Sequence, residues 1–130
     1  MSSPRKFRVW DGEEMHEPPH DYVIQDDGKV VRLDWGQAGV DYIGRDLRVE
    51  VMHYTGLTDA EGIEIWEGDI IQSNQSVCLV RWDEKHTEFK IDGQFNLLGK
   101  FSHNLGGYHA NTRVIGNRYE NPELLEEPTS

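Results

Sequence analysis

Apolar and polar side chains alternate along most of this chain, and the repeat is two residues. From Lys6 to Trp10, Phe7 and Val9 fall on one face and Lys6, Arg8 and Trp10 on the other, and Asp11-Gly12 closes the run with a turn. Residues 13–20 hold Pro18 and Pro19, which remove donors and restrict the residue before each, so a loop is expected there. Tyr22–Gln25 and Lys29–Leu33 flank Asp26-Asp27-Gly28, a hairpin signature with a glycine for the positive-φ position. Trp35–Gly44 carries Gly36, Gly39 and Gly44 and reads as irregular. Leu47, Val49, Val51 and His53 alternate with Arg48, Glu50, Met52 and Tyr54, which predicts a half-buried strand with the first set inward.

Thr55–Gly62 is rich in turn formers. Ile63, Ile65 and Trp66 then lead through Glu67-Gly68-Asp69 to Ile70-Ile71, two short apolar strands split by a glycine-centred turn. Val77–Trp82 is an apolar run typical of a buried strand, and Asp83–His86 is a polar turn. Phe89 and Ile91 alternate with Glu88, Lys90 and Asp92. Asp92-Gly93 offers another hairpin turn, with Phe95–Leu98 returning. Residues 102–112, with Gly106-Gly107 at their middle, read as a loop, and Arg113–Ile115 as a last strand ended by Gly116. Asn121-Pro122-Glu123 has the order of a helix start: a capping Asn, a proline at the first helical position and an acid at the positive end of the dipole.

The total is about seven to nine short strands with almost no helix, the profile of a small barrel or sandwich. The fold class expected is therefore mainly β, with additional N-terminal strands and a hairpin, and a short C-terminal helical turn. The organisation expected is three parts. Residues 1–53 pack on the barrel or reach a neighbouring subunit, residues 54–119 form the barrel, and residues 120–130 form an acidic tail.

Composition sharpens this picture in three ways. A chain of 130 residues fits one compact domain with short appendages. Apolar residues make up 36%, and with a mean hydropathy of -0.71 the core is modest, filled mainly by the large rings of four Trp, five Tyr and four Phe. Thirteen basic against 24 acidic residues give a net charge of -11, which repels phosphate backbones and anionic membranes, so nucleic-acid and membrane partners are not expected. The single cysteine, Cys78, lies in an apolar run and is expected to be a buried, inert thiol, which fits the cytoplasm. No leader peptide or apolar stretch of bilayer length is apparent.

Candidate chemistry is sparse. His16 and His20 stand four apart with Asp11, Glu17 and Asp21 nearby, a zinc-like spacing if the segment were helical. The two prolines before His20 defeat that premise, so no metal ligand is assigned. His53 falls at an apolar position and is expected to be a hydrogen-bonded core histidine. His103 and His109 flank the glycine-rich loop with Asn104 and Asn111, residues that loops also use for turns. Arg81, Trp82, Phe89 and Lys90 could make a basic-aromatic patch, but Asp83, Glu84 and Glu88 surround them. No Gly-x-Ser-x-Gly elbow, phosphate loop or dinucleotide fingerprint is present. No catalytic residue and no cofactor are assigned.

Three blocks resemble the YopX family of phage and prophage proteins: Lys6–Asp11, Tyr54–Ile71 (Tyr-Thr-Gly-Leu-Thr-Asp-Ala-Glu-Gly-Ile-Glu-Ile-Trp-Glu-Gly-Asp-Ile-Ile) and Val114–Leu125. They occur in the family's order. The resemblance implies an SH3-like barrel, a phage origin and oligomeric assembly, and it brings no catalytic residue with it. Within the blocks, Gly56, Gly62, Gly68 and Gly116 are expected at turns. Glu67 and Asp69 are expected to accept backbone N–H bonds across one such turn, and Trp66 and Trp82 to fill the barrel or cap its end.

The expectation for function is a phage-encoded, non-enzymatic interaction module in the cytoplasm of a bacterial host. It would associate with itself and bind a host or phage protein through an acidic surface. Two alternatives stand beside it. One is an acidic DNA mimic that inhibits a host nucleic-acid-binding protein, and the other is a small metal-dependent hydrolase.

Overall fold

The structure is a computed structural model, and it describes residues 6–24, 30–36, 39–43, 49–73, 76–95 and 99–125. The protein is mainly β, with twelve strands and three short 3-10 turns among these residues. The chain divides into two compact units, residues 1–52 and 53–130.

In the first unit, strand β1 (Phe7–Trp10) pairs antiparallel with a two-residue strand, β2 (Met15–His16), placing Val9 opposite His16 and Trp10 opposite Met15. The expected loop at 13–20 therefore begins as a return strand, because Asp11-Gly12 turns tightly enough to bring Glu14 back: the Asp11 N–H donates to Glu14 O at 3.1 Å. The strands expected on either side of Asp26-Asp27-Gly28 pair antiparallel, β3 (Tyr22–Ile24) against β4 (Val30–Gly36), while residues 26–28 lie outside the described residues. The stretch expected to be irregular instead continues this sheet, since β5 (Gly39–Ile43) pairs back on β4 with Gly36 opposite Gly39. Gly36 and Gly39 are thus paired strand residues, and Gly44 lies outside the described residues. Val9, Tyr22 and Val30 form the core of this unit, with Phe7, Val49 and Val51 packed on it. Arg8, assigned to the outer face, is 4% exposed, so β1 is covered on both sides.

Strand β6 (Glu50–Thr58) begins in the first unit and continues into the second. Its phase differs from the simple alternation. Met52, placed on the polar side, is 1% exposed, whereas His53 is half-exposed. The strand also runs through Thr55–Thr58, where only turns were expected. Gly56 adopts φ 83°, and the pairing with β7 (Glu64–Trp66) shifts between Tyr54 and Thr58. This is a bulge that a residue with a Cβ would strain.

The rest of the second unit is one antiparallel sheet. It holds β8 (Asp69–Ser73), β9 (Ser76–Asp83), β10 (Glu88–Phe95), β11 (Gly99–Asn104) and β12 (Arg113–Asn117), in the order β11-β10-β9-β8-β12. The turn expected at Asp92-Gly93 is absent: β10 runs straight through, with Gly93 opposite Cys78 on one side and Phe101 on the other. The return strand is thus β11, part of which had been read as loop, and the expected return at 95–98 lies partly outside the described residues. Ile65, Ile71, Cys78, Val80, Ile91 and Leu105 make the core, with Leu57, Phe89 and Val114 against it. The 3-10 turns Leu105–Gly107 and His109–Asn111 follow β11, and a third, Pro122–Leu125, is the C-terminal helical turn. Asn121 does not cap it by its side chain. Its Oδ1 instead accepts the Asn117 N–H at 3.2 Å, while its own N–H donates to Asn117 O at 2.8 Å. Among the described residues no helix is long and apolar enough to cross a membrane.

Candidate functional site

The N-terminal histidines separate into two roles. Asp11 Oδ1 accepts the N–H groups of Glu13 and Glu14, each at 2.7 Å, which fixes the turn. Its Oδ2 faces His16 Nε2 at 2.8 Å. The His16 hydrogen bond, aided by the Glu14 and Glu13 amides, lowers the Asp11 carboxyl to about 2. With Glu14, these residues bring three ligand-type atoms within 4.8 Å of one another. His20 does not join them. Its Nε2 donates to Phe7 O at 2.9 Å and its Nδ1 accepts the Tyr22 N–H at 3.3 Å, so both ring nitrogens are committed to backbone. The structure thus sets Glu14 beside His16 where sequence spacing had suggested His20. The signal for Glu14 was available only once residues 11–16 were read as a hairpin instead of a helix.

The block Tyr54–Ile71 is built around two buried carboxylates. Asp59 is 5% exposed; its Oδ1 accepts from Glu61 N (2.8 Å) and Ile63 N (2.9 Å), and its Oδ2 from Val114 N (2.9 Å). Burial works against the charge, but these three donors outweigh it and hold the carboxyl below its ordinary value. One side chain therefore closes the 59–63 turn and pins it to β12. Sequence reading marked the turn but gave Asp59 no role. Asp69, 2% exposed, accepts the Trp66 N–H at 2.8 Å across the Glu67-Gly68 turn, as expected of it, and Gly68 takes φ 87°. Glu67 reaches back across the strands instead. Its Oε1 accepts the His53 N–H at 3.1 Å and lies 3.6 Å from His53 Nδ1. Burial opposes the Glu67 charge, yet these His53 contacts lower its pKa. His53 is thus a half-exposed partner of Glu67 and no core histidine.

The basic-aromatic patch does not assemble, because Arg81 and Lys90 lie on one face of the sheet and Trp82 and Phe89 on the other. Arg81 and Lys90 stand directly opposite each other on β9 and β10, a like-charged pair that is costly unless compensated. Each has its own counter-ion: Arg81 pairs with Asp92, and Lys90 Nζ lies 3.0 Å from Asp83 Oδ2 and 4.0 Å from Glu88 Oε1. His86 Nδ1 also contacts Asp83 Oδ2 at 2.7 Å, and with Lys90 it drives the Asp83 carboxyl far below the usual range. Cations so matched have little left for phosphate. On the other face, the Trp82 ring meets Phe89 at 4.8 Å and is 37% exposed, whereas Trp66 is buried. His103 stacks on Tyr108 at 4.9 Å, and His109 Nδ1 donates to Thr58 O at 2.7 Å. Asn104 caps the first 3-10 turn through its Oδ1, which accepts from Gly106 N at 2.6 Å. Cys78 is buried in the core. Its thiol is pushed up to about 11, chiefly by burial and secondarily by Asp92.

Comparison with known proteins agrees with this architecture. Protein yopX from Bacillus subtilis has a similar structure, with a TM-score of 0.67 and 25% identity over 93% of this chain and 98% of that one. Protein EF1440 from Enterococcus faecalis superposes with a TM-score of 0.62 at 24% identity, over 96% of this chain and 100% of that one, which shows the shared fold. No curated protein matches. The family described as YopX protein matches residues 6–126, so the resemblance carried by the three sequence blocks holds across nearly the whole chain, and this chain belongs to the YopX family.

Proposed function

We propose that this chain is a phage-encoded, non-enzymatic interaction module. It works in the cytoplasm of a bacterial host, associates with itself and binds a host or phage protein through its acidic surface. The SH3-like closure of its sheet belongs to this reading. The observation that carries it is where the reactive side chains are spent. Asp59 and Asp69 serve backbone amides, His20 and His109 serve backbone carbonyls, and Arg81, Lys90 and His86 are matched to neighbouring carboxylates. Groups held this way organise loops and offer recognition by shape and net charge. A charge of -11 favours a basic partner and speeds its encounter. Among the acidic readings, a DNA mimic fits less well, since on the β9–β10 face carboxylates alternate with Arg81 and Lys90 instead of forming a single-sign array.

Affinity capture from lysogenic bacterial cells, followed by mass spectrometry, tests the reading. A stoichiometric basic protein released by salt is expected. Recovery of nucleic acid, or of no binder at any salt concentration, counts against it. The metal-dependent hydrolase is kept as a second reading because of one observation, the convergence of Asp11, Glu14 and His16. Zinc titration by calorimetry, with no heat beyond dilution, removes it.

A further inference from the structure

The core-facing side of the second unit's sheet continues past its packed core as a row of rings. Cys78 and Val80 on β9 and Ile91 on β10 are buried. The next position on that face of β9 is Trp82, half-exposed and edge-on to its cross-strand partner Phe89. His103 stands opposite Ile91 in register, so it shares the face, and Tyr108, 40% exposed, lies on it. Strand spacing and rise put Trp82 and His103 about 12 Å apart, two strands across and one residue pair along. The 3-10 turn Pro122–Leu125 neighbours β9, and its Glu123 and Leu125 are exposed. Glu84 is exposed in the β9–β10 turn, beside Lys85. A ring row of this kind suits a short extended segment that carries proline and positive charge, since proline packs on aromatic faces at low entropic cost.

The chain contains such a segment. Met1-Ser-Ser-Pro-Arg-Lys6 is basic and holds a proline, and no acidic residue appears before Asp11 in a chain that is otherwise strongly acidic. Fully extended, its first five residues reach about 17 Å, enough to follow the row. We propose that the row formed by Trp82, Phe89, His103 and Tyr108 receives the Met1–Lys6 segment of a second copy of this chain. The inference rests on the self-association reading and names its contact. Exchange of this segment between copies is head-to-tail, and closes into a ring where the rotation allows.

The test compares the full chain with a variant lacking residues 2–5, by light scattering. The full chain is expected at a multiple of 15.0 kDa and the variant at the mass of a single chain. A synthetic Met-Ser-Ser-Pro-Arg-Lys-Phe-Arg peptide, added to the ¹⁵N-labelled variant, should shift the Trp82 indole and Tyr108 amide signals saturably. Replacing its Arg-Lys by Glu-Glu, or introducing Tyr108→Ala, should weaken binding about tenfold or more. Trp82→Ala serves as a second variant, with near-ultraviolet circular dichroism reporting its folding. An oligomer that survives the deletion overturns this inference and leaves self-association standing, whereas a monomeric full chain overturns both. Shifts mapping elsewhere, or tighter binding of a Pro/Arg decapeptide than of the native segment, also overturn it.

Discussion

Asp59→Ala removes a side chain that joins the 59–63 turn to β12. The carboxylate receives three backbone N–H groups, from Glu61, Ile63 and Val114. Two of these belong to exposed residues in the 59–63 turn, whose amides regain water when the acceptor goes. The third belongs to half-buried Val114 on β12, 55 residues away, where partial burial makes water a poorer replacement. Hydrogen bonds to a charged acceptor contribute about 1.5–3 kcal/mol each, less when water substitutes, so the loss should be about 3–5 kcal/mol. That is a large share of the roughly 5–15 kcal/mol typical of a folded domain. Urea unfolding followed by tryptophan fluorescence measures it. Asp59→Asn should lose less, since one oxygen still serves the turn while the amide group opposes the Val114 N–H.

The pH dependence gives a second readout of the same site. The folded-state pKa of Asp59 is lowered from the ordinary 3.8. Its contribution is therefore complete above the unfolded-state value and is lost as the pH falls through the lower folded-state value. The wild type should lose this part of its stability on acidification, and Asp59→Asn should not. A change below about 0.5 kcal/mol in Asp59→Ala would refute the reasoning, since that is the scale of an unremarkable surface substitution.

Further outcomes follow from neighbouring details. Gly116→Ala should destabilise by about 1–3 kcal/mol, because an added Cβ would lie 2.5 Å from Asn121 Oδ1, whereas Gly107→Ala, with nothing within 4 Å, should be close to neutral in the same unfolding assay. Cys78 should resist a thiol-reactive chromogen in the folded state and react fully on unfolding, since burial raises its pKa to about 11. Carboxyl NMR should place Asp11 near about 2, and His16→Asn should move it towards 3.8; the stability it lends is present above 3.8 and lost as the pH falls through about 2.

What sequence pattern revealed here was local, and what it hid was long-range. Val77–Trp82 and the Glu67-Gly68 turn were legible because a buried strand and a positive-φ glycine leave signals within a few residues. Asp92-Gly93 misled because the dipeptide favours a turn in isolation, while pairing on both sides holds Gly93 in the sheet. The phase of β6 departs from simple alternation already at Met52 and His53, ahead of the bulge at Gly56, since Val51 packs on the first unit's core while neighbouring Met52 is also buried. Asp59 could be read as a turn residue from Thr58-Asp59-Ala60-Glu61-Gly62. Its bond to Val114 depends on β12 arriving beside it, which no local pattern encodes. The two tryptophans, which no local pattern distinguishes, differ in the structure: Trp66 is buried and Trp82 exposed.

Sedimentation equilibrium of the full chain over a hundredfold range of concentration bears most directly on the interaction-module account. A weight-average mass that rises to a whole multiple of 15.0 kDa is the predicted result. A mass of 15.0 kDa at every concentration would contradict it.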